Sequence, residues 1–247
     1  MNPLLMHGVG SPQSVLRSSS TQVHSLGTKG VIGESVFYYT KASGTAMTIA
    51  ELQVTADAPT THQELAIAAG GGVAGNKKLT SITSGALLAA ANLYAEGYVT
   101  VTDNTGGGQM FKIKEHAAWA SAASTVSLTL YDEIVTSLDA TSTVGIIKNK
   151  YDSPQQSNTT VAEIPVGVPR VTIAADGYGW LQTAGPCPCL FDEAVPVGQA
   201  VTVGTSVAGT VEEDDTATTV SQEFIVGYTL VAGVDTETQP VFLQIQF

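Results

Sequence analysis

Hydrophobic and polar residues alternate at period two in many segments of the chain after residue 26. The alternation is clearest in GYVTVTD (97–103) and QMFKIKE (109–115), which are separated by a glycine-rich turn. Successive side chains of a strand point to opposite faces of a sheet, so this alternation predicts half-buried strands. Glycines supply the positive φ angles that a tight connection needs, so the two segments together predict a β-hairpin.

Other strand-like segments follow one another at short intervals, separated by turn signals. They are 33–42, 51–55, 77–83, 125–132, 143–151, 167–174, 177–185, 199–204, 223–233 and 240–247. Segment 85–94 predicts a loop or one short helical piece. No strand alternates with a long amphipathic helix, so a parallel α/β fold is not expected. The pattern predicts a mostly β chain with antiparallel sandwich- or barrel-like sheets and short helical pieces.

Residues 1–25 differ from the rest because they sustain neither a helix nor a strand period. They predict an extended N-terminal arm, which is either a frayed terminus or an arm that orders on a neighbouring subunit. The predicted protein-interaction residues of this arm are Leu4, Leu5, Met6, Val15, Leu16 and Arg17. The polar segment 153–160 is the predicted linker. It separates a β domain at 26–152 from residues 161–247, which form a second β domain or the second half of the same unit.

Composition and charge narrow the class of partner. Charged residues are only 13% of the 247 residues, about half the usual share. A surface of Thr, Ser, Gly, Ala and Gln is easily desolvated, which suits protein–protein contact, although many secreted β proteins share this composition. The net charge of −12 argues against nucleic acid and against an anionic membrane surface as partners. Without a signal-peptide pattern or an apolar run of spanning length, a soluble chain made in the cytoplasm is expected.

Candidate catalytic and metal-binding residues are few. The histidines lack metal-ligand spacing, so structural or surface roles are expected for His7, His24, His62 and His116. Cys187 and Cys189 are one residue apart, a spacing at which a mutual disulfide would be strained, and no second cysteine pair completes a zinc site. The chain is therefore predicted to be non-enzymatic and to use no cofactor or metal. Carboxylate pairs that meet only in the fold stay open, as in a small hydrolase.

Several segments, taken in order, resemble a family of tailed-bacteriophage virion proteins. Leu26-Gly27-Thr28 followed by VFYYTKA (36–42) resembles the opening strand of the family. NLYAEGYVTVTD (92–103) with GGGQMFKIK (106–114) resembles its middle. DGYGWLQ (176–182) is similar to an element common in the C-terminal half of phage head proteins, and Val226-Gly227-Tyr228 also fits that pattern. The resemblance covers residues 26–247.

The resemblance implies a non-catalytic component of the phage head, a decoration or cement protein on the capsid surface of the virion. It implies the major capsid protein and further copies of the chain as partners, with a trimer favoured over a dimer. It assigns no catalytic residues. The Pro-Cys-Pro-Cys run at 186–189 and the long arm depart from the family pattern. The alternative function is a receptor- or glycan-binding module of a phage tail or fibre, with Tyr178 and Trp180 exposed on one strand face. Core packing is the commoner use of such a pair.

Overall fold

The structure, a computed structural model, describes residues 4–5, 14–56, 60–86, 88–120, 124–159, 163–214 and 224–245. It is almost entirely β, with 43% strand and 1% helix. The helical content of the described residues is a single 3-10 turn, Thr60–His62. Antiparallel sheets form a half-barrel and a nearly closed barrel, which confirms the predicted fold class.

The strands are numbered in chain order over the described residues. The first ten are β1 (Leu4–Leu5), β2 (Lys29–Ile32), β3 (Ser35–Lys41), β4 (Gln53–Val54), β5 (Leu65–Ala66), β6 (Lys78–Thr83), β7 (Tyr98–Asp103), β8 (Met110–His116), β9 (Thr125–Leu130) and β10 (Thr143–Ile147). The others are β11 (Gln155–Gln156), β12 (Pro165–Pro169), β13 (Tyr178–Leu190), β14 (Ala200–Val203), β15 (Val211–Glu213), β16 (Gly227–Thr229) and β17 (Thr238–Gln244).

Residues Asp57–Asn149 form one compact unit, here called the barrel unit. Its six strands pair in the order β5-β10-β7-β8-β9-β6, and a bridge between Ile67 and Ile82 joins the two ends of this sheet. The predicted hairpin is confirmed, because β7 and β8 are antiparallel neighbours with Tyr98 opposite Lys112. The alternating apolar residues of these strands, such as Val99, point into the core of the barrel.

Residues Met1–Ala56 and Lys150–Phe247 form the other compact unit, here called the sheet unit. Its main sheet has the order β1-β2-β3-β13-β17-β16-β14-β15. The thirteen-residue strand β13 is central, because β3 pairs with its first half and β17 pairs with its second half. This pairing unites the start of the chain with its last third.

The two units divide the chain differently from the predicted domains 26–152 and 161–247. The predicted linker, 153–160, contains β11, which pairs with β4 inside the sheet unit. The physical reason is that strand alternation is a local signal, whereas strand pairing depends on residues more than a hundred positions apart. The chain leaves the sheet unit after Ala56, builds the barrel unit and returns at Lys150.

Within the predicted arm, Leu4–Leu5 form the short strand β1, and residues 14–25 lie along the sheet unit of their own chain without forming a regular strand. Val15 is buried in the same apolar cluster as Trp180. Ser19 forms an antiparallel bridge with Tyr178, and the Val23 N–H donates a hydrogen bond to the Tyr39 hydroxyl at 3.0 Å. Whether part of the arm also reaches a neighbouring subunit stays a prediction.

Candidate protein-interaction face

The Pro-Cys-Pro-Cys run lies in the second half of β13, where the strand period of two separates prolines from cysteines. Cys187 and Cys189 are each 1% exposed and belong to the core of the sheet unit. Pro186 and Pro188 are half-buried on the opposite face. Hydrogen bonding with Cys187 and burial raise the pKa of the Cys189 thiol, which disfavours its reactive thiolate form.

Backbone direction explains why two prolines are tolerated within a sheet. The Leu190 N–H donates to the Ala50 carbonyl at 3.0 Å, away from β17. The side-chain amide of Gln182 likewise donates to the Pro186 carbonyl at 2.9 Å. Even-numbered residues of this half therefore direct their backbone groups away from the β13–β17 ladder. A proline at position 186 or 188 costs no hydrogen bond of that ladder.

The outward positions of the neighbouring strands extend the two prolines into one uncharged, mostly apolar face. Pro186 lies opposite Phe242 on β17, Phe242 lies opposite Tyr228 on β16, and Tyr228 lies opposite Ala200 on β14. Pro188 lies opposite Pro240 in the same way. We name this surface the proline face. Its members are Ala184, Pro186, Pro188, Leu190, Ala200, Tyr228, Leu230, Thr238, Pro240, Phe242 and Gln244.

No Asp, Glu, Lys, Arg or His belongs to the proline face, although the chain carries a net charge of −12. Two of its large side chains are well exposed, Tyr228 at 42% and Leu230 at 44%. The loops at 195–198 and 229–234, which are hydrogen-bonded to each other, also carry the exposed side chains of Val197 and Val231. Contiguous apolar surface of this kind is typical of protein–protein contact sites. A partner that covers only this face desolvates no ion, and the first carboxylate beyond its edge is that of Asp214, whose N–H donates to the Ala200 carbonyl.

The arm residues predicted to bind a partner are spread over different environments. Val15 is 6% exposed and packs into its own core, whereas Leu16 and Arg17 are exposed. Strand β1 pairs in parallel with β2 through its backbone. Met6 lies outside the described residues. Partner binding by these residues stays a prediction, and the side chain of Val15 is occupied by contacts within its own chain.

The position of Trp180 opposes the glycan-binding alternative. Its side chain is only 2% exposed. Its ring centroid lies 5.1 Å from that of Tyr39 and 5.6 Å from that of His24, so the aromatic pair of the predicted strand is used in packing. A sugar needs an exposed aromatic face to stack on, and Trp180 offers none.

The barrel unit holds a second group of notable side chains. His62, Tyr94, His116 and Trp119 pack together, with Nδ1 of His62 hydrogen-bonded to the Tyr94 hydroxyl. A cavity of about 480 Å³ adjoins His116 and Trp119. Sequence reasoning did not bring these residues together, because they are distant along the chain. In the described ranges, no group of three or more His, Cys, Asp or Glu side chains can hold a metal ion.

Comparison with known proteins adds no relative. No protein-family model matches the chain, and neither a curated protein nor a solved structure matches it. Over the described residues, no helix is both long enough and apolar enough to cross a membrane.

The proline face was not predicted from the sequence. One signal for it was present, since Pro-x-Pro within a β pattern is compatible only with strand positions whose N–H is not needed by the ladder. Such a pair of prolines places two ring side chains on one strand face. The other contributors come from β14, β16 and β17, and their alignment depends on strand register.

Proposed function

We propose that this chain is a non-enzymatic structural protein that binds other protein chains through the proline face, as a decoration or cement protein on the outside of a tailed-bacteriophage head. The observation that carries the proposal is the uncharged apolar face of β13, β14, β16 and β17 in a strongly acidic chain. The resemblance of residues 26–247 to virion proteins supplies the setting, in which the major capsid protein is the partner.

The construction of the face suits a stable contact. Paired strands hold its side chains in place before binding, so less conformational entropy is lost when a partner binds. Pro186, Pro188 and Pro240 have almost no side-chain freedom to lose. Tyr228 presents a large, rigid aromatic side chain with a polar tip, the type of residue that dominates binding energy in protein interfaces.

The absence of charge on the face predicts how the contact responds to salt. Salt screens ion pairs but does not weaken apolar contacts. Binding through the proline face should therefore persist in concentrated salt. Binding through the acidic remainder of the surface would instead respond strongly to ionic strength.

Co-sedimentation with phage heads tests the proposal. Heads of the encoding phage are prepared without this protein and mixed with purified chain at low and high salt. We expect saturable binding at both salt concentrations. Tyr228→Lys and Phe242→Lys should each weaken it by about thirtyfold or more, because a lysine at the contact must be desolvated.

The matched control is Val135→Lys, which introduces the same charge at a side chain of the barrel unit that is 78% exposed. This variant should bind the heads like the unmodified protein. Failure of the unmodified protein to bind heads would refute the decoration function. Equal loss of binding in all three variants would refute the role of the proline face.

A further inference from the structure

His116 makes three hydrogen bonds to residues 92–94, which precede strand β7. The Asn92 N–H donates to the His116 carbonyl at 3.0 Å, and the His116 N–H donates to Oδ1 of Asn92 at 2.9 Å. The Tyr94 N–H donates to Nε2 of the His116 ring at 3.0 Å. Backbone and ring of one histidine therefore fix both Asn92 and Tyr94.

These contacts define the protonation state of the His116 ring. Nε2 accepts a hydrogen bond from a backbone N–H, so it carries no proton itself. Nδ1 lies 2.8 Å from the Ala117 carbonyl, an acceptor, so Nδ1 carries the proton. The ring is the neutral Nδ1–H tautomer. Adding a proton to Nε2 would place two N–H groups against each other and remove the bond to Tyr94.

Burial, like the hydrogen bond that Nε2 accepts, favours the neutral form of the His116 ring. His116 is 6% exposed. Burial lowers the pKa of the imidazole below 6.5, and the hydrogen bond to the Ala117 carbonyl opposes this with a smaller effect. Desolvation penalises the charged ring, and no hydrogen-bonding carboxylate among the described residues compensates it.

The groups around His116 come from four elements. Residues 92–94 contribute Tyr94, and burial raises the pKa of its phenol to about 12, so it stays neutral. The 3-10 turn contributes His62, which is hydrogen-bonded to Tyr94. Glu115 on the same strand and Lys78 on β6 line the adjoining cavity and carry opposite charges. Desolvation by burial is the largest influence on the pKa of the His116 ring.

We infer that His116 is a pH-sensitive latch, whose protonation in mildly acidic solution breaks the ring's hydrogen bond to the Tyr94 N–H and loosens residues 92–94 next to the cavity. The inference does not depend on the proposed capsid role. Stability from the neutral ring is fully present above pH 6.5, the pKa of the unfolded state, and is lost as the pH falls through the lower folded pKa. Over that interval, the opening equilibrium grows by up to about tenfold per pH unit.

Native-state hydrogen exchange of the Tyr94 amide measures the opening. Protection factors, corrected for the intrinsic exchange rate, are compared near pH 7.5 and near pH 5. We expect protection at Tyr94 to fall by about tenfold or more, while the Val101 amide in strand β7 keeps its protection. In His116→Gln, an amide oxygen replaces Nε2 as acceptor and cannot be protonated, so the fall should disappear.

His24→Gln in the sheet unit is the matched control, and it should leave the fall at Tyr94 unchanged. An equal fall in His116→Gln and in the unmodified protein would overturn the inference. If His116→Gln does not fold, a second measurement on the unmodified protein still tests the inference. Ring-nitrogen chemical shifts of the unmodified protein should report a neutral Nδ1–H imidazole at neutral pH, and a charged ring or an Nε2–H tautomer would equally overturn it.

Discussion

The two halves of β13 have different surroundings. In the half that pairs with β3, residues 179–183 are all buried, and Trp180 packs against Tyr39 and His24. In the half that pairs with β17, buried cysteines alternate with the half-buried Pro186 and Pro188. The first half of β13 is thus buried on both of its faces. The second half is covered by the protein core on only one face.

The difference arises from what the chain lays over each half. Segment 14–26 brings Val15, His24 and Leu26 to the aromatic cluster of the first half. Beside the second half, Tyr228 and Leu230 stay exposed. Enclosure makes the first half a source of stability. The proposed function assigns the second half to contact with another chain.

The largest expected effect on stability comes from a substitution in the enclosed first half of β13. Trp180→Ala should lower the free energy of unfolding of the sheet unit by about 3–5 kcal/mol, because it removes a large buried side chain. Tyr228→Ala, beside the other half, should stay within about 0.5 kcal/mol. Urea unfolding followed by circular dichroism measures both. If the two variants lost the same unfolding free energy, the proposed difference between the two halves of β13 would be contradicted.

Proline position provides the next test. Cys189→Pro should cost about 3 kcal/mol or more, because it removes an N–H directed at β17. Pro188→Ala, one residue away, should change stability by no more than about 0.5 kcal/mol. Cys189→Ala is the control, because it removes the thiol and keeps the backbone N–H. The difference in stability between the two variants measures the cost of losing the N–H. A large cost for Pro188→Ala would show that the backbone directions are misassigned.

The segment over the enclosed half should make a smaller contribution. Val15→Ala should cost about 1–2 kcal/mol, since it removes two buried methyl groups. Leu16→Ala changes the exposed neighbour and should cost less than about 0.5 kcal/mol. Thermal unfolding of the two variants measures the difference. If Leu16 proved the costlier position, the segment would have to bind its unit differently.

The smallest effect concerns His24. Burial lowers the pKa of its imidazole below 6.5, so its neutral form favours the folded state. This contribution is present above pH 6.5 and is lost as the pH falls through the lower folded pKa. The pH dependence of sheet-unit stability, measured through Trp180 fluorescence in a Trp119→Phe background, should be shallower in His24→Gln. An unchanged slope would contradict this.

Local pattern was sufficient to predict strand positions. β3 lies within the predicted 33–42, and the hairpin of β7 and β8 occurs where alternation and glycines indicated it. The end of β13 was missed: 177–185 was predicted, and the strand continues to Leu190. Prolines usually end a ladder, so a sequence pattern favours stopping there. They fit because the β17 ladder does not use their positions.

The period of two along each strand is a property of the backbone, so the amino-acid sequence alone specified the β class, the hairpin and the alternation of Cys187 and Cys189 with prolines. Long-range packing specified the rest. The enclosure of Trp180 depends on segment 14–26, and the proline face depends on the register of four strands. His116 meets Tyr94 for the same reason. Such contacts join residues far apart in the chain, where no local periodicity records which partner a side chain will have.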